Sequence, residues 1–207
     1  MKVILSFMEN LFYPLLILLL MITWSCLHSW LAAFSTKDRI YQLFGEGFQH
    51  FYRLFYVLIA IITLLPILAM VVVLPSHTLW IIPPPWLYLT LFIQLLSFIG
   101  LVITVFQVDG MAFIGLRQLV QPDVEEQEAL VTRGFYKFTR HPLYLFSMII
   151  FWLFPLMTDL ILAFVIASSL YFIIGTIPEE NKLIARYGQA YRDYQAKTPR
   201  IIPGIKF

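Results

Sequence analysis

The sequence predicts an all-α polytopic membrane protein of about five transmembrane helices, the last two forming a short hairpin, with a cytoplasmic connector and an interfacial C-terminal helix. Three observations predict this. Of 207 residues, 60% are hydrophobic and 13% charged, with a mean hydropathy of +0.83, which is more apolar surface than a soluble domain of this length can hide. The apolar residues fall into long blocks, and the basic residues gather on alternate connecting segments.

The blocks are residues 11–34, 54–74, 86–106, 143–157 and 160–177. At about 1.5 Å of rise per residue, each of the first three can cross a hydrocarbon core of about 30 Å. The last two are shorter and are joined by Thr158-Asp159, which predicts a helical hairpin returning to its own side. Lys2 is the only early positive charge and no small-residue cleavage site follows, so the first block is expected to stay as a span and not act as a cleaved signal. The single cysteine, Cys26, excludes an internal disulfide and reads as a small packing residue.

Five spans put the N-terminus and residues 75–85 on one side, and residues 35–53, 107–142 and the tail from Pro178 on the other. Lys2 alone stands on the first side. Lys37, Arg39, Arg53, Arg117, Arg133, Lys137, Arg140, Lys182, Arg186, Arg192, Lys197, Arg200 and Lys206 stand on the second. The positive-inside rule then gives a multi-pass protein with its N-terminus outside and its C-terminus cytoplasmic. The basic excess serves orientation and lipid headgroups. It is offset in the connector by Asp123, Glu125, Glu126 and Glu128, and no nucleic-acid motif is present.

Three segments organise the chain: residues 1–106 with three N-terminal spans, residues 107–142 as a cytoplasmic connector, and residues 143–207 as the hairpin with its tail. No internal repeat is visible. The spans carry almost no ionisable groups, with only Gln94 and His28 polar near mid-depth, which argues against a transporter or channel. Pro83-Pro84-Pro85 stiffens the outer loop. The connector is long for a linker, with Asp109-Gly110 and mixed aromatic and cationic residues suited to a headgroup boundary, so it reads as a site-forming loop. The tail has a helix start at Pro178, with Glu179 and Glu180 in the first turn, Leu183, Ile184 and Tyr187 at helical spacing, and Gly188 as a stop. A second short helix is expected over residues 191–195.

No Gly-rich phosphate loop, dinucleotide fingerprint, His-Glu-x-x-His or Cys-x-x-Cys occurs. His28, His50, His77 and His141 are scattered over four segments, so no metal site is expected. Two polar clusters remain, Arg140-His141-Pro142-Leu143-Tyr144 where the hairpin begins and Pro178-Glu179-Glu180-Asn181-Lys182-Leu183 where it finishes. A short antiparallel hairpin brings its two ends together, gathering a guanidinium, an imidazole, a phenol and carboxylates in one neighbourhood. The plainer alternative is that each group marks a helix end: Arg140 at phosphates, His141-Pro142 and the glutamates as starts.

These residues, with Trp152, Pro155, Tyr187-Gly188, Tyr191, Tyr194 and the closing Pro199-Arg200-Ile201-Ile202-Pro203, resemble the isoprenylcysteine carboxyl methyltransferase and phospholipid methyltransferase superfamily over residues 129–204. Upstream, His28-Ser29, Tyr52-Arg53-Leu54 and Phe113-x-Gly115-Leu116-Arg117-Gln118 are similar to the bacterial branch that holds methanethiol S-methyltransferases and NnrU-like proteins. The chain departs from the methanethiol enzymes at Leu27, where Gln is usual, and near Val108, where a His is usual.

The resemblance implies methyl transfer from S-adenosyl-L-methionine and a bacterial-type inner membrane. It implies Arg140 and Glu180 (or Glu179) as a catalytic pair, and cofactor contacts from Tyr136, His141, Pro142, Tyr144, Glu179, Glu180, Leu183, Tyr187 and Tyr191. A carboxylate suits the cofactor's ammonium, and aromatic rings suit its adenine and sulfonium. The two glutamates are not distinguished. His28, Arg53, Arg117 and Gln118 are implied as substrate residues. The implied partners are membrane lipids and a small thiol or lipophilic acceptor, with no nucleic acid and no metal. A non-catalytic membrane accessory protein of a respiratory or denitrification system is the alternative.

Overall fold

The structure, a computed structural model, describes residues 2–108, 110–120 and 129–205; the side chains of residues 2–10, 46, 112, 113, 118 and 119 lie outside the described set. Asp109 and the acidic run Asp123, Glu125, Glu126 and Glu128 fall outside it as well. The helices in chain order are α1 (Lys2–Ala32), α2 (Phe34–Phe44), α3 (Gln49–Val73), α4 (Trp86–Gln107), α5 (Gly110–Ile114), α6 (Arg117–Val120), α7 (Pro142–Trp152), α8 (Asp159–Tyr187) and α9 (Gln189–Lys197). Strands β1 (Thr78–Ile81) and β2 (Leu156–Thr158) form a two-stranded sheet. The protein is an all-α polytopic membrane protein.

Among the described residues, four helices are long and apolar enough to cross a membrane: residues 11–32 of α1, α3, α4 and α8. Helix α7 has 11 residues and at about 1.5 Å each is near 16 Å long, half a hydrocarbon core. The five expected spans are therefore four full-length helices and one short one. The expected pair of short helices joined at Thr158-Asp159 differs too. Here α7 leads through β2 into an α8 of 29 residues.

Pro178 also departs from expectation, because it lies inside α8 and does not start a new helix. Proline removes one backbone donor, but in a long apolar helix the remaining backbone has no better partner than the helix itself, so the helix carries through. The later expectations are met: α8 ends at Tyr187 before Gly188, and α9 covers the short helix anticipated around Tyr191.

The chain divides into two compact units. Among the described residues, the first comprises 2–80, 111–120 and 156–167. Helices α1 and α3 pack together, and Tyr52 of α3, 2% exposed, donates its hydroxyl to the carbonyl of Leu31 at the end of α1. Gly115, at φ +87°, sits against the backbone of α3, where a Cβ would lie 2.5 Å from Leu54 N and 2.9 Å from Arg53 C. Only glycine fits that position. The sheet is closed by Asp159, whose carboxylate caps the start of α8 through Leu160 N (2.8 Å) and also takes the backbone N–H of His77 (3.0 Å).

Among the described residues, the second unit comprises 81–108, 110, 129–155 and 168–205. Helices α4 and α7 pack closely, with Gly100 of α4 under the ring of Phe146. Gln94 of α4 donates to the carbonyl of Ile150, and Trp152 Nε1 donates to Ser169 Oγ of α8 at 3.0 Å, so the polar groups along these apolar helices are used in packing.

Candidate active site

In the second unit, the residues preceding α7 and the C-terminal turns of α8 meet the tail. The tail is held to residues 139–141 by main chain: Arg140 N donates to Pro199 O (2.9 Å), and His141 N to Arg200 O (3.1 Å). Thr139 Oγ1 also donates to Arg200 O at 3.0 Å. His141-Pro142 starts α7, because proline at the first helical position loses a donor that no helix would use.

Around this seam lies a network of charges. Arg140 Nε donates to Glu180 Oε1 at 2.7 Å, and its Nη1 donates to the carbonyls of Gln195 (3.1 Å) and Thr198 (2.7 Å). Glu180 Oε2 accepts from Gln195 Nε2 at 2.9 Å and stands 3.4 Å from Arg200 Nη2. Arg140 is 8% exposed and Glu180 3% exposed, so the pair implied to be catalytic is sealed and fully engaged. His141 places Nε2 3.2 Å from Glu180 Oε1 and Nδ1 3.5 Å from Glu179 Oε2. Tyr144 donates its hydroxyl to Glu179 Oε2 at 2.7 Å.

Burial works against a charge on His141, but the hydrogen bonds and charges of Glu179 and Glu180 outweigh it and hold the ring above its ordinary value. A neutral imidazole has one donor nitrogen, whereas this ring faces a carboxylate at each nitrogen, which suits the imidazolium. Its ring stacks on Tyr144 (5.3 Å between centroids, 5° between planes), and Tyr144 stacks on Phe172 of α8 (4.9 Å).

Of the other implied cofactor residues, Pro142 is buried as the first residue of α7, and Tyr136 is bound into the seam by its carbonyl, which accepts from Tyr194 OH at 2.5 Å. Burial pushes the Tyr194 phenol up to about 12, with Arg140 acting against and Glu180 adding to the rise, so it stays a neutral donor. Tyr191 is 1% exposed; its hydroxyl and Arg200 Nε are buried with no hydrogen-bond partner among the described residues. Leu183 and Tyr187 share the helical face of Glu180 by spacing and are half-buried.

The implied substrate residues fall in the first unit. There His28 hydrogen-bonds Tyr56 OH (2.5 Å) and stacks on Trp24 (4.8 Å, 14°), while Arg53 lies one turn before Tyr56 on α3. Gly115 brings the Gly-Leu-Arg-Gln segment against Arg53, with Arg117 half-buried; the side chain of Gln118 lies outside the described set. Sequence reasoning did not single out Tyr56, Gln195, Thr198 or Arg200 as site residues. The closing Pro-Arg-Ile-Ile-Pro run was the available signal for Arg200. Gln195 and Thr198 carry none, because their role is mainly to offer backbone carbonyls. Among the described residues, no group of three or more His, Cys, Asp or Glu side chains is arranged to hold a metal.

Four membrane-length helices among the described residues define a class, the polytopic membrane proteins, and comparison with known proteins adds a family match. Residues 89–190 match the family described as phospholipid methyltransferase. It is 31% identical to methanethiol S-methyltransferase 1 of Bradyrhizobium diazoefficiens over 192 residues, covering 90% of this chain and 65% of that protein. It is 32% identical to the methanethiol S-methyltransferase of Crocosphaera subtropica over 114 residues, covering 53% of this chain and 44% of that protein. With the Mycobacterium tuberculosis methanethiol S-methyltransferase it shares 35% identity over 68 residues, 33% of this chain and 28% of the relative. The chain thus spans about half the length of these curated relatives. No solved structure matches it.

Proposed function

We propose that this protein is an integral-membrane methyltransferase that uses S-adenosyl-L-methionine to methylate a small thiol or other lipophilic acceptor. The observation that carries the reading is the cluster at the ends of α7 and α8, where the arginine, histidine, tyrosine and both glutamates of the two sequence motifs lie in one hydrogen-bonded network. The residues fit the cofactor. A partly exposed carboxylate, Glu179, suits an ammonium, and two buried groups without partners, Tyr191 OH and Arg200 Nε, suit an anionic carboxylate. Leaving such donors unmet costs about 1–3 kcal/mol each, a cost that a bound anion would offset.

When bound, the cofactor supplies an electrophilic methyl group. The chain's own residues supply alignment and exclusion of water, the main sources of rate in an in-line displacement. Arg140 and Glu180 fix the tail over the cluster, and a purine would be walled by rings from among Tyr136, Tyr144, Tyr187 and Tyr191. His141, held above its ordinary value by two carboxylates, positions its neighbours, and the shift favours the protonated ring over a proton-accepting one. Loss of the acceptor's proton falls to solvent or to a group outside this network. A thiol acceptor is favoured by the methanethiol S-methyltransferase names of the relatives; a phospholipid amine or isoprenylcysteine carboxylate is the next choice.

The test is calorimetric binding of S-adenosylmethionine to the detergent-purified protein, followed by transfer of radiolabelled methyl to methanethiol. Saturable binding with label in dimethyl sulfide is the expected outcome. Binding without transfer to any thiol moves the acceptor to the lipids, and a folded protein that never binds supports the accessory alternative.

A further inference from the structure

Glu179 and Glu180 are adjacent on α8, so their side chains leave the helix about 100° apart and meet different surroundings. We propose that Glu179, not Glu180, receives the ammonium of the methyl donor, that His141 and Tyr144 position it, and that Arg140 and Glu180 serve as the clasp of the tail. The proposal rests on the cofactor reading above and goes beyond it by dividing the duties of two carboxylates that the sequence leaves equivalent.

The division follows from what each carboxylate already holds. A carboxylate has about four acceptor sites. Glu180 has Arg140 Nε and His141 Nε2 on Oε1, and Gln195 Nε2 with Arg200 Nη2 on Oε2. Its side chain is 4% exposed, so an incoming ammonium would have to break a buried ion pair to reach it. Glu179 is different. Its side chain is 45% exposed, and both of its neighbours in this cluster, Tyr144 OH and His141 Nδ1, approach Oε2.

Those two neighbours are themselves held. The imidazole and phenol rings stack face to face, Tyr144 stacks in turn on Phe172, and the other nitrogen of His141 is tied to Glu180. Glu179 is thus a carboxylate oriented by a rigid platform with its side chain open, the condition for receiving a cationic ligand group at little cost in side-chain entropy. Arg140 meanwhile spends its donors on Glu180 and on two tail carbonyls, Gln195 and Thr198, the contacts of a clasp.

The experiment measures calorimetric affinities of the full-length protein in detergent for S-adenosylmethionine, S-adenosylhomocysteine and methylthioadenosine; the last lacks both ammonium and carboxylate. Thermal midpoint and protease sensitivity of the tail are read on the same samples. In Glu179→Gln, affinity for the first two ligands should fall at least tenfold while methylthioadenosine stays within twofold and the midpoint holds. Tyr144→Phe should weaken the same two ligands by a few-fold in the same pattern. Glu180→Gln should lower the midpoint and expose the tail to protease. The proposal is overturned if Glu179→Gln weakens all three ligands alike, or if Glu180→Gln keeps its midpoint and loses S-adenosylmethionine while Glu179→Gln binds normally; in either case the cofactor reading survives. Folded wild-type protein that binds none of the three removes that reading and the proposal together.

Discussion

A buried guanidinium and carboxylate stabilise a fold only when the rest of their donors and lone pairs are met, and at Arg140 and Glu180 the tail carbonyls, Gln195 and His141 meet them. Removing one partner leaves the other charged and buried. Arg140→Met should therefore cost about 3–5 kcal/mol, seen as a lowered thermal midpoint in detergent. A loss below about 1 kcal/mol, the range of an exposed pair, would mean that the tail is held by its main-chain bonds alone. His141 gives a second prediction at this scale, with a sign set by its raised value. A group that binds its proton more tightly in the fold adds stability that is fully present below its unfolded value of 6.5 and is lost as pH rises through the folded value. The thermal midpoint should fall on going from pH 6 toward alkaline conditions, and His141→Gln should flatten that slope. An equal slope in the variant would assign the titration elsewhere.

Among the elements, the short turn at Gly134–Lys137 shows how little space the second unit leaves. Gly134 has φ +64°, and a Cβ there would run into the side chain of Gln107 at the end of α4, whose Oε1 accepts the backbone N–H of Phe135. Gly134→Ala should destabilise by about 1–3 kcal/mol through the left-handed backbone and the collision together. Adding Gln107→Ala removes the collision but not the backbone strain, so it should restore only part of the loss; full restoration in thermal scans would show that the backbone term is small. That turn lies in the connector whose mixed aromatic and cationic residues read as a headgroup boundary, but its partner on α4 was not legible, since nothing local marks a contact to a residue 27 positions upstream. Helix α8 teaches the complementary lesson. Pro178 and the two glutamates read locally as a helix start, yet the apolar run before them is strong enough to carry one helix through all three.

At the scale of the whole chain, hydropathy and charge placement made the spans legible, because a bilayer offers unpaired backbone no alternative to a helix. The two motifs that meet in the cluster were legible for the same reason, as breaks in apolar runs. What stayed hidden depends on long-range pairing: the sheet between residues 78–81 and 156–158, and the clasp formed by carbonyls of Gln195 and Thr198. Orientation is the whole-molecule property that the basic residues argue for and that a cofactor from the cytosol requires. Lys2 opposes all the other basic residues, so the loop carrying Ser76 should face outward and both α2 and the tail inward. On a Cys26→Ala background, an impermeant maleimide added to intact cells should label Ser76→Cys, while Lys37→Cys and Lys197→Cys should react only after permeabilisation. Labelling of Lys37→Cys or Lys197→Cys from outside would reverse the topology and place the Arg140 cluster on the face that a cytosolic methyl donor does not reach.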